Sequence, residues 1–118
     1  MGNYSAALDC LQRCLEVQEK KLGKTHPSTL TTLLNVAATY FGKRNYPKAE
    51  EMYKTALDGY ERTLGKDNKD TKLCATGLAV LYGARMKVKE KTRELAHNYP
   101  HVLEDVWEAR ELLLLTPS

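Results

Sequence analysis

The sequence is short of the residues that break a chain or brace it covalently. Its 118 residues include 7 glycines and 4 prolines, too few for collagen-like, mucin-like or low-complexity chains. It has one tryptophan and one phenylalanine beside seven tyrosines. Three cysteines, an odd count, do not make a disulfide framework, so reduced thiols in a cytosolic or nuclear compartment are expected. No apolar run approaches the ~20 residues that span a bilayer; Leu112 to Leu115 is a run of only four. Met1 is followed by Gly2, Asn3 and Tyr4 rather than by a basic patch and an apolar stretch, so no secretory leader is expected and the location expected is cytoplasmic. Neither sign of charge dominates: a net charge of +3 does not by itself point to nucleic acid. What remains, 42% hydrophobic and 28% charged, suits a single globular domain.

An internal repeat organises the chain. A shift of 42 residues aligns Asn3-Tyr4 with Asn45-Tyr46, Ala7 with Ala49, Leu15 with Leu57 and Glu19 with Glu61. The same register aligns Leu22-Gly23-Lys24 with Leu64-Gly65-Lys66, Thr29 with Thr71, Ala37 with Ala79 and Tyr40 with Tyr82. Within each unit the apolar residues follow helical spacing. Leu30, Leu33, Leu34, Ala37, Ala38 and Phe41 mark a helix over about Thr29 to Gly42. Ala49, Met52, Tyr53, Ala56, Leu57, Tyr60 and Leu64 mark another from about Pro47 to Leu64, with Pro47 suited to a first helical position. The first helix spans about Tyr4 to Leu22. Gly23 and Gly65 are expected to stop their helices in the left-handed conformation. No period-2 alternation is present, so no sheet is expected.

These residues resemble the tetratricopeptide repeat. The matching segments are Leu33-Leu34-Asn35-Val36-Ala37-Ala38-Thr39-Tyr40, Asn45-Tyr46-Pro47-Lys48-Ala49-Glu50, Tyr53-Lys54-Thr55-Ala56-Leu57 and Leu64-Gly65-Lys66. More narrowly they are similar to the 42-residue repeat of kinesin light chains, whose inter-repeat linker resembles Leu22-Gly23-Lys24-Thr25-His26-Pro27-Ser28-Thr29. The resemblance implies an all-α, right-handed superhelical solenoid of antiparallel helix pairs, with about six helices. Residues 1–99 would hold the second helix of one unit, one full unit and a degenerate third, in which Gly77 stands where the second unit has Asn35. Residues 100–118 would form a capping helix and tail. The resemblance also implies a concave groove for an extended or helical protein segment, lined by Thr31, Leu34, Asn35, Ala38 and Phe41, and by Leu73, Thr76, Gly77 and Val80 in the third unit. The Lys, Asn and Arg set with which chaperone-binding relatives clamp a terminal carboxylate does not occur at these positions. An adaptor or scaffold role follows from the same resemblance.

Other chemistry finds little support. There is no Gly-rich phosphate loop, no H-E-x-x-H and no G-x-S-x-G, so no enzyme, cofactor or metal is expected. His26 falls in the linker and reads as a turn residue. Cys10 and Cys14 lie one turn apart but lack the third and fourth ligands of a structural zinc site, and buried thiols are expected. Arg85, Lys87, Lys89, Lys91 and Arg93 form a basic run that reads as a solvated helix, with an anionic surface or nucleic acid as the alternative partner. His101 to Leu115 reads as one helix with Leu103, Val106, Trp107, Leu113 and Leu114 buried, either capping the solenoid or occupying the groove as an internal ligand through Asp105-Val106-Trp107-Glu108. Its four acids against one arginine place it, on charge alone, near the basic run. The first helix lacks the in-chain partner of its unit, so either the chain is a fragment of a longer array or another surface covers the helix, and an uncovered apolar stripe would favour pairing with a second copy.

Overall fold

The computed structural model describes residues 3–85 and 89–106. Six helices follow one another: α1 Tyr4–Leu22, α2 Pro27–Gly42, α3 Tyr46–Leu64, α4 Lys69–Arg85, α5 Lys89–Asn98 and α6 Val102–Asp105. No strand occurs among the described residues. Short turns join α1 to α4, so neighbours run antiparallel, α1 against α2, α2 against α3 and α3 against α4. This is the all-α solenoid that the repeat predicts.

The repeat register also sets the caps. Asn3 and Asn45 accept from the backbone N–H groups of Ala6 and Lys48, opening α1 and α3. His26 Nδ1 accepts from Ser28 N at 3.1 Å, and Asn68 Oδ1, 42 residues later, accepts from Asp70 N at 2.8 Å. The turn role read for His26 is therefore an N-cap. The helix stops differ from expectation. Gly23 (φ 94, ψ 160) and Gly65 (φ 84, ψ 164) have positive φ but extended ψ, so they occupy a region essentially reserved for glycine rather than the left-handed helix. The left-handed residue after α2 is Arg44 (φ 65), whose N–H bonds the Phe41 carbonyl while Asn45 N bonds that of Tyr40.

The core is centred on α3, which is covered on two sides. Leu30, Leu33 and Ala37 of α2 and Cys74, Ala75, Leu78 and Tyr82 of α4 share one buried cluster with Ala49, Tyr53, Ala56, Leu57 and Tyr60 of α3. Small residues let the helices approach. A Cβ on Gly59 would lie 2.5 Å from Leu30 Cδ2, and one on Gly77 would lie 2.8 Å from Tyr53 Cε1. Cys74 is fully buried, its Sγ directed at the Tyr53 carbonyl, and burial followed by the nearby Glu61 charge pushes its thiol pKa up to about 12. Thr29 and Thr71, equivalent in the repeat, are both buried with hydroxyls that find no partner among the described residues.

Cys10 and Cys14, expected to be buried, are exposed. Their equivalents Met52 and Ala56 lie on the stripe of α3 that faces α2, and nothing occupies the corresponding side of α1 among the described residues. The C-terminal helix is also shorter than expected. It runs from Val102 to Asp105, and Val106 is already extended (φ −120, ψ 100). Val102 and Val106 are both driven into the core beside Tyr99, which anchors the segment across α4. Leu103 is half-buried, and Trp107, Leu113 and Leu114 lie outside the described residues.

One buried acid ties α3, α4 and α5 together. Glu50, 7% exposed, accepts from Arg85 Nη1 at 2.9 Å, Lys91 Nζ at 2.8 Å and Tyr82 OH at 3.2 Å, with Lys54 Nζ 3.6 Å away. Burial acts to raise its pKa, but the Lys91 hydrogen bond and charge, the Tyr82 hydroxyl and Lys54 outweigh burial and hold it below the usual carboxylate range. The same burial, with the Glu50 charge, raises the Tyr82 phenol. Tyr99 OH donates to Glu61 and adds a second clasp between α3 and the segment after α5.

Two predictions follow from caps and clasp. Gly65→Ala has open space around the new methyl, so its cost is backbone strain alone, about 1–3 kcal/mol, whereas Arg44→Gly relieves a left-handed residue and gains about 0.5–1 kcal/mol; opposite shifts in urea midpoint check both. Glu50 has a depressed pKa in the fold, so its contribution is complete above the unfolded carboxylate value and fades as pH falls through the lowered one. Glu50→Gln should lower stability at pH 7 by about 1–2 kcal/mol and flatten the acid limb of a plot of Tm against pH.

Candidate functional site

The residues assigned to a groove fall on two neighbouring helices. α2 and α4 touch directly and, each being antiparallel to α3, run in the same direction. On α2, Thr31, Leu34, Asn35 and Ala38 occupy one face at helical spacing, with Phe41 a turn further on. Thr31, Asn35 and Ala38 are exposed, and Leu34 and Phe41 are half-buried with their inner atoms against the core. On α4, Leu73 (59% exposed) and Val80 (40%) flank the half-buried Thr76. Two large aliphatic side chains this open are costly to leave in water and supply apolar area to a partner.

The polar groups of this face differ in what they still offer. Thr31 Oγ1 lies 2.9 Å from the Pro27 carbonyl and 3.0 Å from Tyr60 OH, so its hydroxyl is already engaged. The Asn35 side-chain amide has no hydrogen-bond partner among the described residues, and only its backbone carbonyl is used, by Thr39 Oγ1 at 2.8 Å. A free primary amide can donate and accept at once, as an extended backbone requires. Phe41 packs edge-on to Tyr46 with ring centroids 5.7 Å apart, which fixes the end of the face where α2 turns into α3.

Gly77 does not line the face as expected. Its missing Cβ makes room for the Tyr53 ring, so its role is packing between α3 and α4, and this is why the third unit departs from Asn35.

Sequence reasoning missed the residues that border the α4 end. His101 Nε2 lies 2.9 Å from Thr76 Oγ1 and 3.1 Å from the Lys72 carbonyl, and Tyr99 packs edge-on to the His101 ring. His101, Thr76 and Lys72, together with Asp67, Lys69, Leu73 and Asp105, form a shallow cleft. The single signal for this in the sequence is the pair of histidine and acids after Pro100, and nothing in its spacing names α4 as the partner.

In the basic run Lys91 and Arg93 are exposed, as a solvated helix implies, but the run is also engaged in ion pairs. Arg85 and Lys91 are directed at Glu50, and Arg93 Nη1 bonds Glu90 at 2.8 Å. Lys87 and the side chain of Lys89 lie outside the described residues. Of the acids of the C-terminal segment, Asp105 shares a cleft with Lys69 and Lys72 of α4, and Glu108 and Glu111 lie outside the described residues. Among the described residues no group of three or more His, Cys, Asp or Glu side chains is placed to hold a metal ion, and no helix is long and apolar enough to cross a membrane.

Comparison with known proteins agrees with this architecture. The chain matches a tetratricopeptide repeat family model over residues 1–62 and again over 33–87. It is 40% identical over 56 residues to nephrocystin-3 of Xenopus laevis, and equally to nephrocystin-3 of Xenopus tropicalis. Each match covers 48% of this chain and 4% of the relative, so the chain spans a small fraction of these proteins. With the helix pairs, the 42-residue register and the family match in agreement, the chain belongs to the tetratricopeptide repeat family.

Proposed function

We propose that this chain is a non-enzymatic interaction module that binds an extended segment of a partner protein along the face shared by α2 and α4, in an adaptor or scaffold role like that of kinesin light chains. Tetratricopeptide repeats generally mediate protein–protein interaction. The observation that carries the finer reading is the open Asn35 amide set between apolar positions: Leu34 and Ala38 on its own helix, Leu73 and Val80 on the next. Such a face would hold a peptide backbone through the amide and bury a large apolar anchor beside it. Tyr99, Val102 and Val106 support a capping role for the C-terminal segment, since all three join the core. The contact of His101 with Thr76 would then mark the end of the groove. The basic run is the weaker candidate surface, because Arg85, Lys91 and Arg93 already have carboxylate partners.

Panning a random-peptide display library against the chain tests this reading. Selected peptides should carry a Leu, Phe or Trp anchor. Asn35→Ala and Leu34→Glu should each weaken them about tenfold or more, with helicity by circular dichroism unchanged. Selected peptides that bind both variants as tightly as the parent chain would move the site off α2.

A further inference from the structure

The face shared by α2 and α4 receives hydroxyl groups from the helix behind it. Tyr53 and Tyr60 of α3 both lie in the core that α3 shares with α2 and α4, 6% and 2% exposed. Tyr60 shows that a phenol on α3 is long enough to reach the face: its hydroxyl lies 3.0 Å from Oγ1 of the exposed Thr31. Tyr53 does the same on the α4 side. At the α4 position equivalent to Asn35 stands Gly77, half-buried beside Leu73, Thr76 and Val80. A Cβ there would lie 2.8 Å from Tyr53 Cε1, 3.3 Å from Cζ and 3.5 Å from the hydroxyl oxygen, so the tip of the phenol fills the space of the missing side chain. The Tyr53 hydroxyl has no hydrogen-bond partner among the described residues, yet unlike those of Thr29 and Thr71 it is not sealed from solvent. Tyr53 lines neither of the clefts that α3 forms with Lys91, so its hydroxyl opens beside Gly77.

The repeat makes sense of this exchange. The register that matches Asn35 with Gly77 also matches Leu11 with Tyr53. In the earlier helix pair an apolar Leu11 on α1 accompanies an amide on α2. In the later pair a phenol on α3 accompanies a bare glycine on α4. The polar group has moved to the neighbouring helix.

We propose that the Tyr53 hydroxyl is a second hydrogen-bonding group of the groove, bonding the backbone of the bound segment beside α4 as the Asn35 amide does beside α2. This rests on the groove reading above and specifies its ligand further. A hydroxyl can donate or accept, and a nearly buried one without a partner is costly until a ligand satisfies it. The segment that satisfies both groups is extended where it crosses from α2 to α4. A helical segment has already spent its backbone groups on itself.

The probe is a peptide selected on the parent chain from the display library, titrated calorimetrically against the variants. Tyr53→Phe removes only an unpartnered hydroxyl, so the urea midpoint should hold while the peptide binds about three- to tenfold more weakly. Single amide-to-ester replacements in the peptide then locate the contact. One of them should weaken binding to the parent chain and cost Tyr53→Phe nothing further, a non-additivity that a packing role would not produce. Unchanged affinity of Tyr53→Phe, with Asn35→Ala still weakening the peptide, would overturn this proposal and leave the groove standing. So would a Tyr53→Phe loss that is the same for every ester. Peptides indifferent to both variants, or a library that yields none, would overturn the groove and this proposal with it.

Discussion

The structure depends on the close approach of α2 and α4 to the two sides of α3. Neither side has room for an ordinary side chain at the point of nearest contact. Gly59 admits Leu30 on one side, and Gly77 admits Tyr53 on the other. With those contacts closed, Ala49, Ala56, Cys74, Ala75 and Ala79 are fully buried without bulky side chains, and the core is continuous from Leu30 to Val106. The unit cannot bury its apolar stripe alone. It does so by stacking, and stability in such an array is largely a sum of interfaces between neighbours.

The same stacking decides which surfaces are left for other work. Turning one side of α2 and α4 toward α3 exposes another side of each, and these carry Asn35, Leu73 and Val80 together on helices of the same direction. At the C-terminal end, Glu50 and Glu61 draw in Arg85, Lys91 and Tyr99, so a segment with little apolar content of its own in α5 is held by charge and by Leu95, Ala96 and Tyr99. Among the described residues nothing plays that part for α1, in which Leu8 is the one buried residue.

Much of this was legible in the sequence because the signals are periodic and local. Helical spacing, the 42-residue register and the positions of Gly23, Pro47 and Gly65 place α1 to α3 within a few residues of their observed limits. What was not legible needed a partner far away in the chain. An apolar stripe reads the same whether or not a helix covers it, so Cys10 and Cys14 looked buried and are not. Glu50 carries no sequence signal of its own; its burial depends on Arg85 and Lys91, 35 and 41 residues later. Gly77 looked like a groove position because its equivalent is Asn35, and only the Tyr53 ring explains the change. α6 ends at Asp105 with Val106 extended, a stop that the helical spacing of Leu103, Val106 and the residues after them did not announce.

Native-state hydrogen exchange tests the central claim most directly, since it reads the free energy of opening helix by helix. The stacking account predicts the slowest amides in α3 and α4, and markedly faster exchange throughout α1, which is packed on one side only. Protection in α1 equal to that in α3 would contradict it, because the covering of α3 on both sides would then not be what holds the fold together.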